Sequence, residues 1–508
     1  MSPGYICDAD YIDYFYDGLS PWFMDYLAAL GGFPRLDTVD GFDYCELGCG
    51  TGLSLVIHAA ANPPGRFVGV DLNPDHIRRA AATARAGQVA NVTFLEEDFS
   101  QLLERELPRF DVIALHGVYS WVSPGIRREI QGFIAHRLKP GGKVYVSYNA
   151  LPGWSQQIPV RQIMVTHVDG QGGSTLDRVA KGIEHLRRLR DAGAASVQTG
   201  PQVKALVEHI LTADPRYVAH EYFTPFWEAY YFRQVHDDMA RVGLSYVGCL
   251  PAAMNYGAFC LPRPLQDYFQ GLPSRVAFET HKDLVLNTVF RRDVYCLGQG
   301  QPTREPTGRL AGVTLGSFKA RPDFTFQFEA KANVVQLDGA LFPRLADLLA
   351  GSRWPVEDLL AHPSLAGNGP EEIVQGLECL VASGQVLPCA PGPALVPDGL
   401  SPLNRHLLER DAGAGTGVSL ACPGYGTGLA LAQVDALIVL GLQEAGPEGV
   451  ADWIQAWAGE RRLELAAAGD TTPLAEQVRA RARRLPLAAL GLTAPAAGPS
   501  GPPLPPGA

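Results

Sequence analysis

At 508 residues the chain exceeds what one hydrophobic core usually serves, so about two to four domains are expected. Apolar residues make up 46% and charged residues 19%, which excludes a disordered or fibrous chain, and no stretch approaches the ~18 uninterrupted apolar residues of a membrane span. The formal net charge of −11, spread without a Lys/Arg run, excludes nucleic acid as a bulk ligand.

Residues 1–40 are read as an N-terminal helical flap. Regular alternation follows over residues 41–155. Phe42 to Leu47 is expected as a strand, Gly52 to Ala61 as a helix, Arg66 to Asp71 as a strand, and Pro74 to Ala86 as a helix with proline in its first turn. Asn91 to Glu96 and Phe110 to Leu115 are strands, Pro124 to Leu138 a helix, and Lys143 to Tyr148 a strand after the turn Lys139-Pro140-Gly141-Gly142. Strand and helix in turn imply an α/β chain built on a Rossmann-like, doubly wound parallel sheet.

Residues 156–300 read as a helical insertion, clearest at Thr175 to Arg190 and Gln202 to Thr212. Two late strands, Leu244 to Leu250 and Val289 to Leu297, are expected to complete the sheet, with helical stretches around Leu265 to Phe269 and Ala277 to Leu286 between them. Gln299 to Arg309, rich in Gly, Pro and Thr, is a linker. Residues 301–400 form a C-terminal α+β region: strand-like runs at Phe324 to Phe328 and Val334 to Gln336 precede helices Val356 to Ala361 and Pro370 to Ser383 and the strand-like Gln385 to Leu387. That order resembles a winged helix, but the acids of the second helix favour a packing or dimerisation module over a nucleic-acid reader. Residues 401–490 are Ala/Leu-rich and helical, and 491–508, with six prolines in eighteen residues, are a disordered tail.

In Glu46-Leu47-Gly48-Cys49-Gly50-Thr51-Gly52 three glycines alternate between a strand and a helix. Glycine suits a sharp turn, a positive φ and a ligand lying against bare backbone. The spacing is GxGxG, whereas pyrophosphate-binding sheets favour GxGxxG, so a ligand without pyrophosphate is favoured, S-adenosyl-L-methionine first, with a bare turn in another nucleotide-binding fold as the alternative. Asp71 stands at the end of the second strand, 23 residues beyond Gly48, close to the ~20 at which an acid reaches two ribose hydroxyls. Leu72 follows it. Asp98-Phe99 could accept the adenine amino group and flank the purine, or Asp98 could be a helix N-cap, and both roles can coexist. Glu46 could receive the ammonium of the amino-acid part, or be a plain strand-end acid.

On ELGCGTG, Gly69-Val70-Asp71-Leu72-Asn73-Pro74, Leu115-His116-Gly117-Val118-Tyr119-Ser120-Trp121, Ser147-Tyr148-Asn149-Ala150-Leu151-Pro152-Gly153-Trp154 and Ala219-His220-Glu221-Tyr222-Phe223, the chain resembles class I methyltransferases with an appended methyltransferase regulatory domain. That family includes the rickettsial outer-membrane-protein lysine methyltransferases. The resemblance covers roughly residues 5–300 and implies S-adenosylmethionine bound in the sheet domain under a helical cap. It points to a protein acceptor, with lysine N-methylation first, a small molecule or cell-surface sugar second, and a non-catalytic cofactor-sensing scaffold third. A homodimer is left open.

The reaction needs a nucleophile in line behind a sulfonium methyl, a dry site and the loss of one proton. His116 is a candidate base or cofactor-packing residue. Tyr119, Trp121, Tyr148 and Trp154 are candidates for an aromatic wall around a methylated cation, or core aromatics; Asn149 could accept a hydrogen bond from a target amine, or be a turn residue. Tyr11, Tyr14, Tyr16 and Trp22 precede the first strand, where a flap could exclude water. His220-Glu221 lacks further ligands at metal-site spacing, so no metal is expected. Nine cysteines without a CxxC pair, and the lack of a basic-then-apolar leader, point to a reducing, cytoplasmic setting.

Overall fold

The computed structural model describes residues 8, 13–38, 40–301, 306–393, 395, 398–412, 417–461 and 473–492. Tyr11 and the tail from residue 493 lie outside the described residues.

A seven-stranded sheet forms the centre. Its strands are β1 (Asp43–Leu47), β2 (Arg66–Asp71), β3 (Val92–Glu96), β4 (Phe110–Leu115), β5 (Leu138–Asn149), β6 (Leu244–Cys249) and β7 (Phe290–Leu297). They are ordered β3-β2-β1-β4-β5-β7-β6, with β7 antiparallel to both its neighbours and the other pairs parallel. Chain order reverses between β1 and β4, so their carboxyl ends flank the crevice where ligands of doubly wound sheets bind. The late strands pair inside this sheet, across an insertion of more than ninety residues that ends β5 and precedes β6.

The pleat decides which side chain faces which layer. Tyr44, Val112, Ala114 and Tyr145 point to the face covered by helices α1 (Pro21–Leu30) and α2 (Leu53–Ala61). Their neighbours Cys45, Ile113, Leu115, Val144 and Val146 point to the opposite face, where the helices Pro124–Arg137 and Phe232–Arg241 pack. Local signals set the boundaries: Asn73 caps the helix Pro74–Ala86 by accepting from the Asp75 amide at 2.9 Å, with Pro74 in the first turn. The turn expected at Lys139–Gly142 is a bulge within β5. Leu138 already pairs with Phe110, and pairing resumes at Lys143 opposite Val112, with Gly141 at φ +77° in between.

The insertion carries its own apolar core, in which Val160, Met164, Val179, Leu186, Val207 and Tyr222 are buried. Past residue 306 there is a three-stranded sheet, in which β8 (Thr314–Gly316) lies between two later strands, Arg353–Pro355 and Leu387–Cys389. Gln327–Ala330 pairs with Asn333–Gln336 in a hairpin. The expected helices appear as Val356–Leu360 and Pro370–Ala382, and the strand expected at Gln385 to Leu387 starts at Leu387.

The region 401–490 is corrected: besides helices it contains a hairpin, Val418–Cys422 with Thr427–Leu431, packed on α2. Its alanines, leucines and glycines hide the strand signal, and burial against α2 supplies what propensity lacks. No helix among the described residues is long and apolar enough to cross a membrane. The eight described cysteines are free.

Candidate cofactor and acceptor site

The three glycines of the loop share one backbone requirement and differ in what surrounds them. Gly48, Gly50 and Gly52 all adopt positive φ, at +76°, +55° and +73°. A Cβ on Gly48 would come within 2.4 Å of Val118, and one on Gly52 within 2.6 Å of Ala80 and 2.9 Å of Phe94, so both positions are closed by packing. A Cβ on Gly50 meets nothing within 4 Å, because it faces the cavity. The Gly48 and Cys49 amides donate to the Val70 carbonyl at 2.8 and 3.0 Å, which ties the loop to the end of β2.

The acids surround this loop. Asp71 accepts from the Gly50 amide at 2.8 Å and from the Asn73 amide at 2.9 Å, and it faces the cavity beside Leu72. Glu46 is buried on the cavity wall, and burial, with Asp71 nearby, pushes its carboxyl up to about 8. Asp98 caps the turn Phe99–Glu104, accepting from the Ser100 amide and hydroxyl at 2.9 Å each, and still lines the cavity with Phe99. Glu97, which the sequence reading passed over, lines it too and is held by Arg105.

His116 closes the other side. Its Nδ1 lies 2.9 Å from the Tyr145 hydroxyl, and its ring lies 3.9 Å, centroid to centroid, from Tyr16. Burial, with Arg292 nearby, lowers it to about 3, so the imidazole is neutral near pH 7 and too weakly basic to hold a proton there. Of the N-terminal aromatics, Tyr14 and Tyr16 line the cavity, whereas Trp22 is buried against Phe42 and donates to Asn62 at 2.8 Å.

Of the two readings of the four aromatics, a wall around a cation or core packing, three of the four follow the second. Only Trp121 of the four lines the cavity. The Tyr119 hydroxyl donates to Asp238 at 2.7 Å and the Tyr148 hydroxyl to Asp293 at 2.7 Å, so both tyrosines are core residues turned away from the site. Trp154 packs on Trp227, with ring centroids 4.7 Å apart. Asn149 is buried off the cavity wall, and its side-chain amide donates to Glu221 at 3.2 Å. The pleat places these side chains, and motif position after a strand does not reveal it.

Three further groups complete the site. Glu221 and Thr224 come from the end of the insertion, and Arg292 comes from β7. Glu221 belongs to a run that the family resemblance marked without giving it a role, whereas Thr224 and Arg292 lie more than seventy residues past β5 and carried no sign in the sequence. No group of three metal-ligating side chains occurs among the described residues.

The glycine loop, its acids, His116, Trp121, Glu221, Thr224 and Arg292 line a cavity of about 1,890 Å³ that also reaches side chains of the C-terminal region, Phe318, Val386 and Leu429 among them. Its donor and acceptor set fits S-adenosylmethionine. The open face of Gly50 leaves room against the backbone, Asp71 suits a ribose diol, Asp98 with Phe99 suits a purine, and Glu46 suits an ammonium. Four acidic side chains, Glu46, Asp71, Glu97 and Asp98, line this part of the cavity, which suits a cofactor of net positive charge.

Comparison with known proteins agrees with this geometry. Residues 45–144 match the family model of a methyltransferase domain, and residues 214–297 match that of a predicted methyltransferase regulatory domain. An uncharacterized protein of Synechocystis sp. is 27% identical, covering 88% of this chain and 89% of its own. An uncharacterized protein of Rickettsia prowazekii is 32% identical over 204 residues, which cover 40% of this chain and 79% of its own. The solved structure of PKMT2 from Rickettsia typhi, also determined in complex with AdoHcy, shares the fold with a TM-score of 0.70 at 20% identity, covering 95% of this chain and 98% of that one.

Proposed function

We propose, for a chain that belongs to the class I S-adenosylmethionine-dependent methyltransferases with a methyltransferase regulatory domain, that the acceptor is a lysine side chain of a protein. The observation that carries this reading is the extent of the cavity. At about 1,890 Å³, a volume that includes the space of the cofactor and a branch towards the C-terminal region, it exceeds the ~300–1,000 Å³ of ordinary small-ligand sites, and it runs past the glycine loop to a wall built by the insertion and β7. Trp121, Phe226 and Phe290 supply apolar surface there, which suits the aliphatic stem of a lysine. The likeness to PKMT2 and the family resemblance lend further support.

The bound cofactor supplies an electrophilic methyl group on a sulfonium. The chain's own residues position and shield. Asp71, through Gly50, holds the loop in shape. Glu46, in β1 just before the loop, and Asp98, after β3, offer acceptors on the cavity wall, and Phe99 offers an apolar face. Tyr16, its ring tilted against that of His116, covers the site against water. His116, oriented by Tyr145 and uncharged, places no repelling charge beside a cation.

The test is incubation of the protein with radiolabelled S-adenosylmethionine and a host-cell lysate, followed by separation of macromolecular from small-molecule label. Label in protein is expected. Label confined to small molecules contradicts the protein acceptor.

A further inference from the structure

We infer that the Glu221 carboxylate receives the acceptor's ammonium group and takes its proton, an assignment that rests on the lysine reading above. Glu221 stands one residue before the end of the helix Pro215–Tyr222 of the insertion and lines the cavity beside Thr224 and Phe226. Among the described residues its one hydrogen-bond partner is the Asn149 amide at 3.2 Å, and no Lys, Arg or His forms an ion pair with it. A half-buried carboxylate without a cation carries a desolvation cost, and a cationic ligand relieves it. Burial pushes it up to about 7, which makes it a base of useful strength at neutral pH.

Two more observations point to a ligand at this place. The Trp121 indole N–H and the Thr224 hydroxyl are both buried on the cavity wall without a hydrogen-bond partner. Buried polar atoms are nearly always paired, so two unpaired ones in side chains that line the same stretch of wall set it apart from the rest of the core. The surrounding surface, from Trp121, Phe226 and Val289, is apolar, as a lysine stem requires. Glu221 is the one carboxylate of the Pro215–Tyr222 helix on this wall.

The proton step balances simply. One N–H bond of the lysine ammonium breaks, its electron pair stays on nitrogen, and the proton passes to a Glu221 oxygen. The amine is then neutral and nucleophilic, and Glu221 returns the proton to solvent through the open cavity. Asn149 is a positioning residue that fixes the carboxylate from behind.

Glu221→Gln, nearly isosteric, separates this role from folding and from cofactor binding. Two probes are used with the S-adenosylhomocysteine-loaded protein: Nα-acetyl-lysine amide and its uncharged analogue Nα-acetyl-norleucine amide. Wild type should bind the lysine probe about 10–100-fold more tightly, as a charge-assisted hydrogen bond predicts, and E221Q should lose that preference while keeping its S-adenosylhomocysteine affinity. Methyl transfer to poly-L-lysine should fall about a hundredfold or more in E221Q. If wild type prefers and methylates lysine and E221Q does the same, the role of Glu221 is overturned and the acceptor reading stands. If wild type neither prefers nor methylates lysine, both fall. Should E221Q fail to bind S-adenosylhomocysteine, Glu221→Asp replaces it: the lysine preference should persist with turnover about tenfold lower, and unchanged turnover overturns the assignment.

Discussion

The carboxylate of Asp71 accepts from the backbone amide of Gly50 at 2.8 Å, so the acid that ends β2 also fixes the middle glycine of the loop after β1. One side chain thereby shapes the cradle and presents an oxygen to the cavity. Asp71→Ala should weaken S-adenosylhomocysteine binding about 10–100-fold, since a hydrogen bond to a charged group is worth about 1.5–3 kcal/mol. Calorimetric titration checks it, and an affinity within twofold of wild type contradicts the role.

The loop glycines should separate binding from stability. Gly50 faces open cavity, so Gly50→Arg should abolish cofactor binding at a stability cost of only about 1–2 kcal/mol for its left-handed backbone. Gly52 faces Ala80 and Phe94, so Gly52→Val should cost about 2–5 kcal/mol in urea unfolding. The reverse pattern would contradict the packing argument.

Tyr119 and Tyr148 should behave as structural residues. Replacing either by Phe removes a buried hydrogen bond and should cost about 1 kcal/mol, because Asp238 keeps Arg241 and Asp293 keeps Arg291 as partners. Turnover of the folded variants should stay within about threefold of wild type. A collapse of turnover at unchanged stability would return them to the reacting groups.

Glu46 should couple the site to pH. Its folded carboxyl sits at about 8 against an ordinary value of 4.5, so its protonated form contributes stability that is fully present below about pH 4.5 and is lost as pH rises through about 8. An ammonium placed beside it favours the ionised form, so cofactor-product binding near pH 7 should release up to one proton. Calorimetry in buffers of different ionisation enthalpy measures this release. Glu46→Gln should abolish it, and equal release from both proteins rules Glu46 out.

The sheet was legible because its strands are short β-rich runs between glycine, proline and asparagine punctuation, and most ends fall within a residue of expectation. That β6 and β7 complete the sheet was legible in the same runs, whereas the order β5-β7-β6 and the antiparallel β7 were not. The hairpin Val418–Cys422 with Thr427–Leu431 was not legible, because its Ala, Leu and Gly composition reads as helix until α2 is seen beneath it. In the site, glycine spacing and strand-end acids revealed the cofactor cradle, whose chemistry is local to β1 and β2. The acceptor end is assembled from distant segments: Asn149 and Glu221 are 72 residues apart, and the pleat that turns Tyr148 inward is a tertiary fact.

The most direct test of the account is the chemical identity of the methylated group. Protein labelled with radioactive S-adenosylmethionine should be hydrolysed in acid and its amino acids separated. Label is predicted in N-methylated lysine and absent when Gly50→Arg protein is used. Label in another amino acid, or lost as volatile methanol from an ester, would contradict the lysine acceptor.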